Sequence, residues 1–543
     1  MFKKIFNYIK KDFFFYLTAV ILAFLLFRNP YSTRTLIPNF EPFPDSFHYL
    51  SPARCFVGGE GFHMCLEGLK GTNQSVPPLY SIAMIPFFLI TSDPRAVYFL
   101  NVLLSFISLY LLYKIIQKVT KHQLIIGFAL FIYVTTYFTY WFPTLAMAEN
   151  LLLPIFLGAV YLLSLKPTNP RIILAGFIAA GMHGSKYAAL GLTIGYTILY
   201  GLHLWLSSKK NKQRWSRLIL FLIVAVGVYF LLGGWKSVEN VIGFLTPIFY
   251  QAGVTKNVIA NNQAHSWFAS PVHMADNLQF YFNSFILGKP LKILWNNRVL
   301  LPKLISLMAL IGLAFGAAQK KYRWLSLSLI WLVVAQIIPV LPFYVADGRY
   351  AITLFPTLII GFALALNLIW EKLPKKKPAQ YFFTIFLIIA GGFYLINNVQ
   401  QLRLQLALNL RYAETPWWYL GTQEMNGYFA NNKFEKTPYL ITLTSPFYLD
   451  YFGNNQYKSL PLSESQDFRS NSDDIWGIEV DIPLMEIYQA KVEAGSSVFV
   501  TNYGVSAANH FKQSYKEIEN NFALTKMHSG CYNLCNIYKL SLL

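Results

Sequence analysis

The chain has 543 residues, of which 55% are hydrophobic and 13% are charged, with a mean hydropathy of +0.40. Soluble domains carry about 25% charged residues, so this composition excludes an ordinary soluble globular protein. Lysine and arginine (45) outnumber aspartate and glutamate (25), which gives a net charge of +20. These cations are dispersed along the chain rather than gathered in one basic region, and this argues against a nucleic-acid-binding surface.

Apolar segments close to the ~20 residues that cross a bilayer as a helix recur along the chain. We predict eleven spans, at 12–28, 97–116, 123–140, 144–165, 172–185, 187–206, 217–234, 303–318, 324–343, 350–370 and 379–397. The run 172–206 can form one kinked helix or two short ones. The first segment continues into Arg28-Asn29-Pro30 without a small-residue cleavage site, which favours a permanent helix over a signal peptide.

Basic clusters predict the orientation of the spans, because cytoplasmic loops carry an excess of lysine and arginine. Six clusters can share the cytoplasmic side: Lys3/Lys4/Lys10/Lys11, Lys114/Lys118/Lys121, Lys166/Arg171, Lys209/Lys210/Lys212/Arg214/Arg217, Lys320/Lys321/Arg323 and Lys372/Lys375/Lys376/Lys377. The external connections are then the loops 29–96, 235–302 and 344–349, short turns near 141–143 and 186, and everything after residue 398. This predicts an integral protein of the plasma (inner) membrane, with a cytoplasmic amino terminus and an external or periplasmic carboxy-terminal domain.

All four cysteines lie in segments that are predicted to be external. Cys55 and Cys65 are in the first loop, and Cys531 and Cys535 are in the tail. An even number of cysteines confined to one side favours two local disulfides in an oxidising compartment. Four unpaired thiols are the alternative. A zinc site is disfavoured because no histidine stands at ligand spacing beside either pair.

The chain divides near residue 400 into a transmembrane domain, 1–399, and a carboxy-terminal domain, 400–543. The second part contains 11 basic and 14 acidic residues and has no apolar run of spanning length. Its short β-rich runs at 439–443 and 498–501 alternate with polar helical stretches such as 506–521. This pattern predicts a small external α/β domain of ~140 residues.

Acidic residues are scarce in the apolar part of the chain, where eleven occur before residue 400. Glu149 stands at the edge of an otherwise apolar helix, where an ionisable group is costly unless it is paired or lines a wet cavity. It is either an active-site acid or a helix-end carboxylate favoured by the helix dipole. Asp45 is either a general base at the membrane surface or the N-cap of a helix that begins near Ser46.

Four external cations are candidate phosphate ligands. Arg349 precedes the span that starts near residue 350, and its guanidinium can bind phosphate in bidentate fashion. Lys70, Arg54 and Lys186 are the others. The alternative for each is an interfacial anchor that extends to the lipid headgroups, and this explanation is favoured for Arg54 and Lys186.

Several short motifs occur in an ordered set along the chain. They are Pro44-Asp45-Ser46-Phe47-His48-Tyr49, Ala53-Arg54, Gly59-Glu60-Gly61-Phe62, Pro77-Pro78-Leu79-Tyr80, Ala148-Glu149-Asn150, and Gly348-Arg349-Tyr350 followed by Phe355-Pro356. This set resembles the GT-C superfamily of polytopic glycosyltransferases that use polyprenyl-phosphate sugars, in particular its protein O-mannosyltransferase and lipid A aminoarabinose transferase branch. The resemblance implies an α-helical polytopic membrane protein with about eleven transmembrane helices of GT-C type, followed by the small external α/β domain.

The resemblance also implies an activity and roles for individual residues. The expected activity is an inverting transfer of a hexose or pentose from a polyprenyl-phosphate donor to a hydroxyl of a lipid, glycan or protein acceptor at the external membrane face. Asp45 would be the catalytic base and Glu149 the second external acid, while Lys70 and Arg349 would hold the phosphate. Many relatives carry a second acid directly after the loop aspartate, where this chain has Ser46. We therefore predict no metal and no cofactor.

Two other classes of protein fit part of the pattern. A lipid or sugar transporter is also polytopic, but it more often places ionisable groups at the bilayer midplane and has paired broken helices. A catalytically inert membrane scaffold with a partner-binding external tail would use Asp45 only as a helix cap. The predicted segment Pro77–Ile90 is too short to span a bilayer and is expected to lie along the interface, beside the lipid donor.

Overall fold

A computed structural model describes residues 12–27, 44–63, 76–91, 96–208, 210–232, 273–293, 296–342, 347–374, 377–413, 417–443, 456–463, 482–507 and 509–543. The described residues fall into two compact units. One is drawn from Met1–Ser32 and Val76–Asn409, and the other from Thr33–Ser75 and Leu410–Leu543. The predicted boundary between residues 399 and 400 stays a prediction.

Helices dominate the structure. In chain order they are α1 (Phe13–Phe27), α2 (Pro44–Val57), α3 (Leu79–Phe88), α4 (Ala96–Val119), α5 (Gln123–Thr135), α6 (Tyr137–Trp141), α7 (Glu149–Leu163), α8 (Asn169–Ser185), α9 (Leu190–Ser207), α10 (Asn211–Leu231), α11 (Met274–Tyr281), α12 (Lys303–Ala318), α13 (Arg323–Ile337), α14 (Leu354–Lys372), α15 (Lys377–Ala413), α16 (Trp417–Asn431), α17 (Leu484–Glu493) and α18 (Asn509–Asn521).

Every predicted apolar span overlaps a helix. Among the described residues, six helical segments are long and apolar enough to cross a membrane, and the bent pair Gln123–Thr135 and Tyr137–Thr144 can add a seventh. Shorter apolar helices include α1, α3, α7 and α12. The run 172–206 consists of two helices, α8 and α9, which are separated by a break that begins at Lys186. The count of eleven crossings stays a prediction.

Close backbone contacts join two pairs of helices in the first unit. A Cβ atom added to Gly312 of α12 would lie 2.0 Å from the carbonyl oxygen of Gly361 in α14. A Cβ atom added to Gly191 of α9 would lie 2.1 Å from the carbonyl oxygen of Ala335 in α13. Small residues let membrane helices approach this closely, so each pair packs main chain against main chain.

The second unit contains a five-stranded mixed sheet. Its strands are β3 (Tyr439–Thr442), β4 (Lys458–Pro461), β5 (Val498–Thr501), β6 (Phe522–His528) and β7 (Ile537–Leu542), numbered after the hairpin strands β1 (Leu291–Ile293) and β2 (Asn296–Arg298) of the first unit. The strand order is β4-β3-β5-β7-β6. Strands β4 and β5 pair parallel to β3, whereas β7 runs antiparallel to β5 and β6. The predicted α/β architecture is confirmed, while the external position of this domain stays a prediction.

Alternating side chains of this sheet pack on its two faces. Leu440 and Phe499 belong to one buried cluster, while Ile441, Val498 and Val500 belong to another that includes residues of α17 and α18. The alternation follows from the two-residue period of a β-strand. Both β-rich runs found in the sequence are therefore core strands of the domain.

Disulfides are present in the second unit, as predicted. Cys531 and Cys535 are bonded to each other across four positions of sequence. Cys55, near the end of α2, is also disulfide-bonded. Its predicted partner, Cys65, lies outside the described residues.

Candidate active site

A buried ion pair joins two helix ends in the first unit. Glu149 is the first residue of α7, and Lys186 directly follows the last residue of α8. The ammonium of Lys186 donates a hydrogen bond to Oε1 of Glu149. The glutamate side chain is fully buried and that of Lys186 is 10% exposed. The interfacial-anchor explanation, which the sequence favoured for Lys186, is therefore wrong, because the ammonium is directed to a buried carboxylate.

A second pair of opposite charges lies in the turn before α14. Residues Gly348–Ala351 form a 3₁₀ turn, and Oδ1 of Asp347 accepts a hydrogen bond of 2.8 Å from the backbone N–H of Arg349. Oδ2 of the same carboxylate lies 3.3 Å from Nε of Arg349. Both side chains are more than nine-tenths buried. Arg349 is thus held by its own turn and does not extend to lipid headgroups.

The ring of Tyr350 connects the two pairs. The ammonium of Lys186 lies 5.0 Å from the ring centroid, and the guanidinium carbon of Arg349 lies 5.4 Å from it. Both distances are within the range of cation–π attraction. The side-chain amide of Gln336 donates a hydrogen bond to the backbone carbonyl of Tyr350. Two cations far apart in sequence therefore meet at one aromatic ring.

Helix α11 supports the turn that carries Arg349. The hydroxyl of Tyr281 donates a hydrogen bond of 3.2 Å to the backbone carbonyl of Asp347, and Nδ2 of Asn277 donates one of 2.7 Å to the carbonyl of Leu341. Burial raises the pKa of Tyr281, and the negative charge of Asp347 raises it further. The phenol therefore stays protonated and remains a hydrogen-bond donor at neutral pH.

Hydrogen bonds from two asparagine side chains fix the chain segment that precedes Glu149. The hydroxyl of Tyr80, from the Pro77-Pro78-Leu79-Tyr80 motif, donates a 2.7 Å hydrogen bond to Oδ1 of Asn101. Nδ2 of Asn101 donates to the backbone carbonyls of Pro143 and Leu145, each at 2.9 Å. Nδ2 of Asn150 also donates to the carbonyl of Leu145, at 2.9 Å. Helices α3 and α4 thereby hold the irregular segment that leads into α7.

The other predicted site residues have different positions. Helix α2 begins at Pro44, two residues before the predicted start near Ser46, so Asp45 lies inside its first turn rather than at the N-cap. Proline is common at the first helical position because its missing N–H would have no partner there. The side chain of Asp45 lies outside the described part of the chain. Arg54 lies in the last turn of α2 and is half-buried. Lys70 lies outside the described residues.

The structure thus brings together three of the six predicted site residues, Glu149, Lys186 and Arg349, within the first unit. Sequence reasoning did not assign Asp347, Tyr350 or Gln336 to the site. Tyr350 belongs to the Gly348-Arg349-Tyr350 motif and Asp347 directly precedes it, so this stretch of sequence was the available signal. In the described ranges, no group of three or more histidine, cysteine, aspartate or glutamate residues could hold a metal ion. The absence of a metal stays a prediction.

Fold and charge distribution together define an integral membrane protein with many helices and a buried polar cluster at the helix ends. Similar solved structures specify the fold further. ArnT from Cupriavidus metallidurans bound to undecaprenyl phosphate gives a TM-score of 0.59 at 10% identity, over 97% of both chains. Its apo state gives 0.55 at 11% identity, again over 97% of both. No family model and no curated protein sequence matches the chain.

A third structure is similar over nearly all of this chain. It is the Archaeoglobus fulgidus oligosaccharyltransferase tethered by a disulfide bond to an acceptor peptide that contains the NVT sequon. The TM-score is 0.53 at 12% identity, over 99% of this chain and 75% of that one. ArnT and the oligosaccharyltransferase are both GT-C proteins. The chain therefore has the GT-C fold, which confirms the fold class predicted from the motifs.

Proposed function

We propose that this protein is an inverting glycosyltransferase that moves a hexose or pentose from a polyprenyl-phosphate donor to an acceptor hydroxyl. The observation that carries the proposal is the meeting of Lys186 and Arg349 at the ring of Tyr350, in a chain with the fold of ArnT. The ArnT structure contains undecaprenyl phosphate. A phosphate on a lipid is the ligand that such a pair of cations suits in a membrane protein.

The two cations have complementary properties for a phosphate ligand. Arg349 presents a planar fork of N–H donors that matches two phosphate oxygens, whereas Lys186 is a compact charge on a flexible stem. Negative charge increases on the phosphate as the bond to the sugar breaks, and fixed cations stabilise that charge. Each cation already has a carboxylate partner, Glu149 or Asp347, which holds it in place before the donor binds. Arg54 and Lys70 are proposed as additional phosphate ligands.

Transfer to a hydroxyl also requires a base. We assign this role to Asp45, whose carboxylate would take the proton as the acceptor oxygen attacks the anomeric carbon. Glu149, proposed as the second acid, acts through the position of Lys186. The acceptor is a lipid, glycan or protein, and the reaction takes place at the external face of the plasma membrane, where the basic clusters place the loop 29–96. No cofactor is needed for this chemistry.

Purified protein in lipid nanodiscs, given a panel of polyprenyl-phosphate monosaccharides, tests the proposal. The measurement is release of the polyprenyl phosphate and appearance of the sugar on the acceptor. Asp45→Asn should lower the transfer rate by at least ~100-fold, because general-base catalysis supplies 10²–10⁴-fold. The matched control is Asp276→Asn, at an exposed position in the first turn of α11. Wild-type rates in Asp45→Asn would remove Asp45 as the base, and donor movement across the bilayer without cleavage would indicate a transporter.

A further inference from the structure

Glu149 uses one of its two carboxylate oxygens in the ion pair. Oε1 accepts the hydrogen bond from Lys186, while Oε2 is buried and has no hydrogen-bond partner among the described residues. A buried acceptor without a donor is costly, and the cost is larger when the group is charged. A donor close to Oε2 would therefore stabilise the ionised carboxylate.

A small cavity adjoins this carboxylate. Its volume is about 20 Å³, and Glu149 is one of the residues that line it. A cavity needs roughly 10–15 Å³ or more to hold a water molecule, which in addition needs two to four polar partners. The lining supplies such partners from α4, α5, α6 and α7: Ser105, Ser108, Tyr133, Thr139 and Asn150.

The hydroxyl groups of the lining are available as acceptors. The hydroxyl of Ser105 donates to the carbonyl of Asn101 at 2.8 Å, and that of Ser108 donates to the carbonyl of Leu104 at 2.8 Å. The hydroxyl of Thr139 donates to the carbonyl of Tyr133 at 2.6 Å. Because these hydrogens are already used, the oxygens offer lone pairs, as the carboxylate does. The cavity therefore suits a small molecule that donates two hydrogen bonds, and water has both the size and the donors.

We infer that this cavity binds one ordered water molecule, which donates to Oε2 of Glu149 and to a neighbouring hydroxyl oxygen. The water supplies the hydrogen bond that Oε2 lacks and so keeps the carboxylate of Glu149 oriented toward Lys186. Ser105, Ser108 and Thr139 are then positioning residues for the ion pair. The water site stands on the cavity and the carboxylate, while its effect on donor binding rests on the proposed function.

Thr139→Val tests this inference with a well-matched control. The substitution removes the hydroxyl and keeps the side-chain volume. Thr357→Val is the control, since Thr357 is also buried and its hydroxyl also donates to a backbone carbonyl, at 2.9 Å, but it is not part of the cavity lining. Radiolytic footprinting in ¹⁸O-labelled water reports ordered internal water, and infrared difference spectra report the carboxylate, with Glu149→Gln assigning its band.

The expected result is that Thr139→Val loses the water-dependent label at residues of the cavity and shifts the Glu149 band, while Thr357→Val changes neither. The affinity for the polyprenyl-phosphate sugar should fall by about tenfold in Thr139→Val. This is the effect of losing one hydrogen bond to a charged group, here the bond from the water to Glu149. Equal labelling and band positions in the two variants would overturn the inference. If Thr139→Val does not fold, Ser105→Ala, at a half-buried position, replaces it.

Direct observation of the cavity gives a second and independent test. An experimental density map of the wild-type protein that resolves waters should show a peak within hydrogen-bond distance of Oε2, and a map without this peak would overturn the inference. Neither this map nor the footprinting depends on turnover. If the water is present but no polyprenyl-phosphate sugar is cleaved, the proposed function is wrong and the inference of a water site still holds.

Discussion

Two lysine–glutamate pairs in this protein have the same chemistry and very different surroundings. Lys186 and Glu149 form a pair that is 10% and 0% exposed, whereas Lys321 and Glu371 form one that is 64% and 36% exposed. Exposed pairs contribute about 0–1 kcal/mol, because water and salt screen them. A buried pair must offset the loss of hydration of both charges, which is often as large as the attraction between them. Stability therefore does not explain why the buried pair is there, whereas the proposed function does.

Removal of Lys186 should produce the largest loss of stability among variants of the two pairs. Lys186→Ala leaves the charge of Glu149 buried without its partner, and the expected loss of stability is about 3–5 kcal/mol. The measurement is the free energy of unfolding in lipid or mild detergent, with exposed Lys303→Ala as the control. A loss below about 1 kcal/mol would mean that the pair behaves like an exposed one.

Neutralising both members of the buried pair separates stability from function. The double variant Glu149→Gln/Lys186→Met removes both charges and keeps the side-chain sizes, so stability should lie within about 1–2 kcal/mol of the wild type. Donor binding should nevertheless be lost, because Lys186 no longer supplies a charge to the phosphate. The checks are an unfolding curve and a titration with polyprenyl phosphate. Full donor binding in this variant would remove Lys186 from the proposed phosphate site.

Removal of the exposed pair should have little effect on stability. Lys321→Ala is expected to change the free energy of unfolding by less than about 1 kcal/mol. Lys321 also lies 4.6 Å from the ring centroid of Tyr322, so part of any change will come from that contact. A comparison with Lys321→Met, which keeps the length of the side chain, separates packing from charge. An effect as large as that of Lys186→Ala would contradict the distinction between the two pairs.

The smallest predicted effect concerns the pH dependence of the exposed pair. Hydrogen bonds to Glu371 and Tyr322 raise the pKa of Lys321 above its ordinary value of 10.5. A raised pKa in the folded state means that the contribution is fully present below pH 10.5 and is lost as pH rises through the folded value. The stability difference between wild type and Lys321→Ala should thus be constant from about pH 7 to 9 and shrink above pH 10.5. A change near neutral pH would show that another group is responsible.

Much of this architecture could be predicted from the sequence, because apolar length and strand periodicity are local signals. The strands at 439–442 and 498–501 and helices at all eleven apolar segments illustrate this. The spans 172–185 and 187–206 placed the break at Lys186, but the alternative of one kinked helix stayed open because the run as a whole is apolar enough for either.

The candidate site was only partly predictable. Glu149 was conspicuous because a carboxylate is rare in an apolar helix, but its partner lies 37 residues away, on the far side of another helix. Such a contact depends on how α7 and α8 pack, which no spacing rule reveals. The aromatic contact of Tyr350 with both cations is likewise a product of tertiary structure. The helix start at Pro44 differed from the prediction by two residues, within the usual uncertainty of helix ends.

The close contact between Gly191 and Ala335 has a mechanical consequence for the site. Gly191 lies shortly after Lys186, and Ala335 adjoins Gln336, which holds the backbone of Tyr350. The main chain of Gly191 faces the carbonyl of Ala335 directly, and the side chain at this contact is the ring of Pro339, which has no freely rotating bond, so a rotamer change cannot widen or narrow the gap there. The close packing of the two helices therefore fixes the distance between Lys186 and Tyr350. Under the proposed function, the donor would have to match that spacing, and selectivity for the size of the bound group would follow from main-chain geometry.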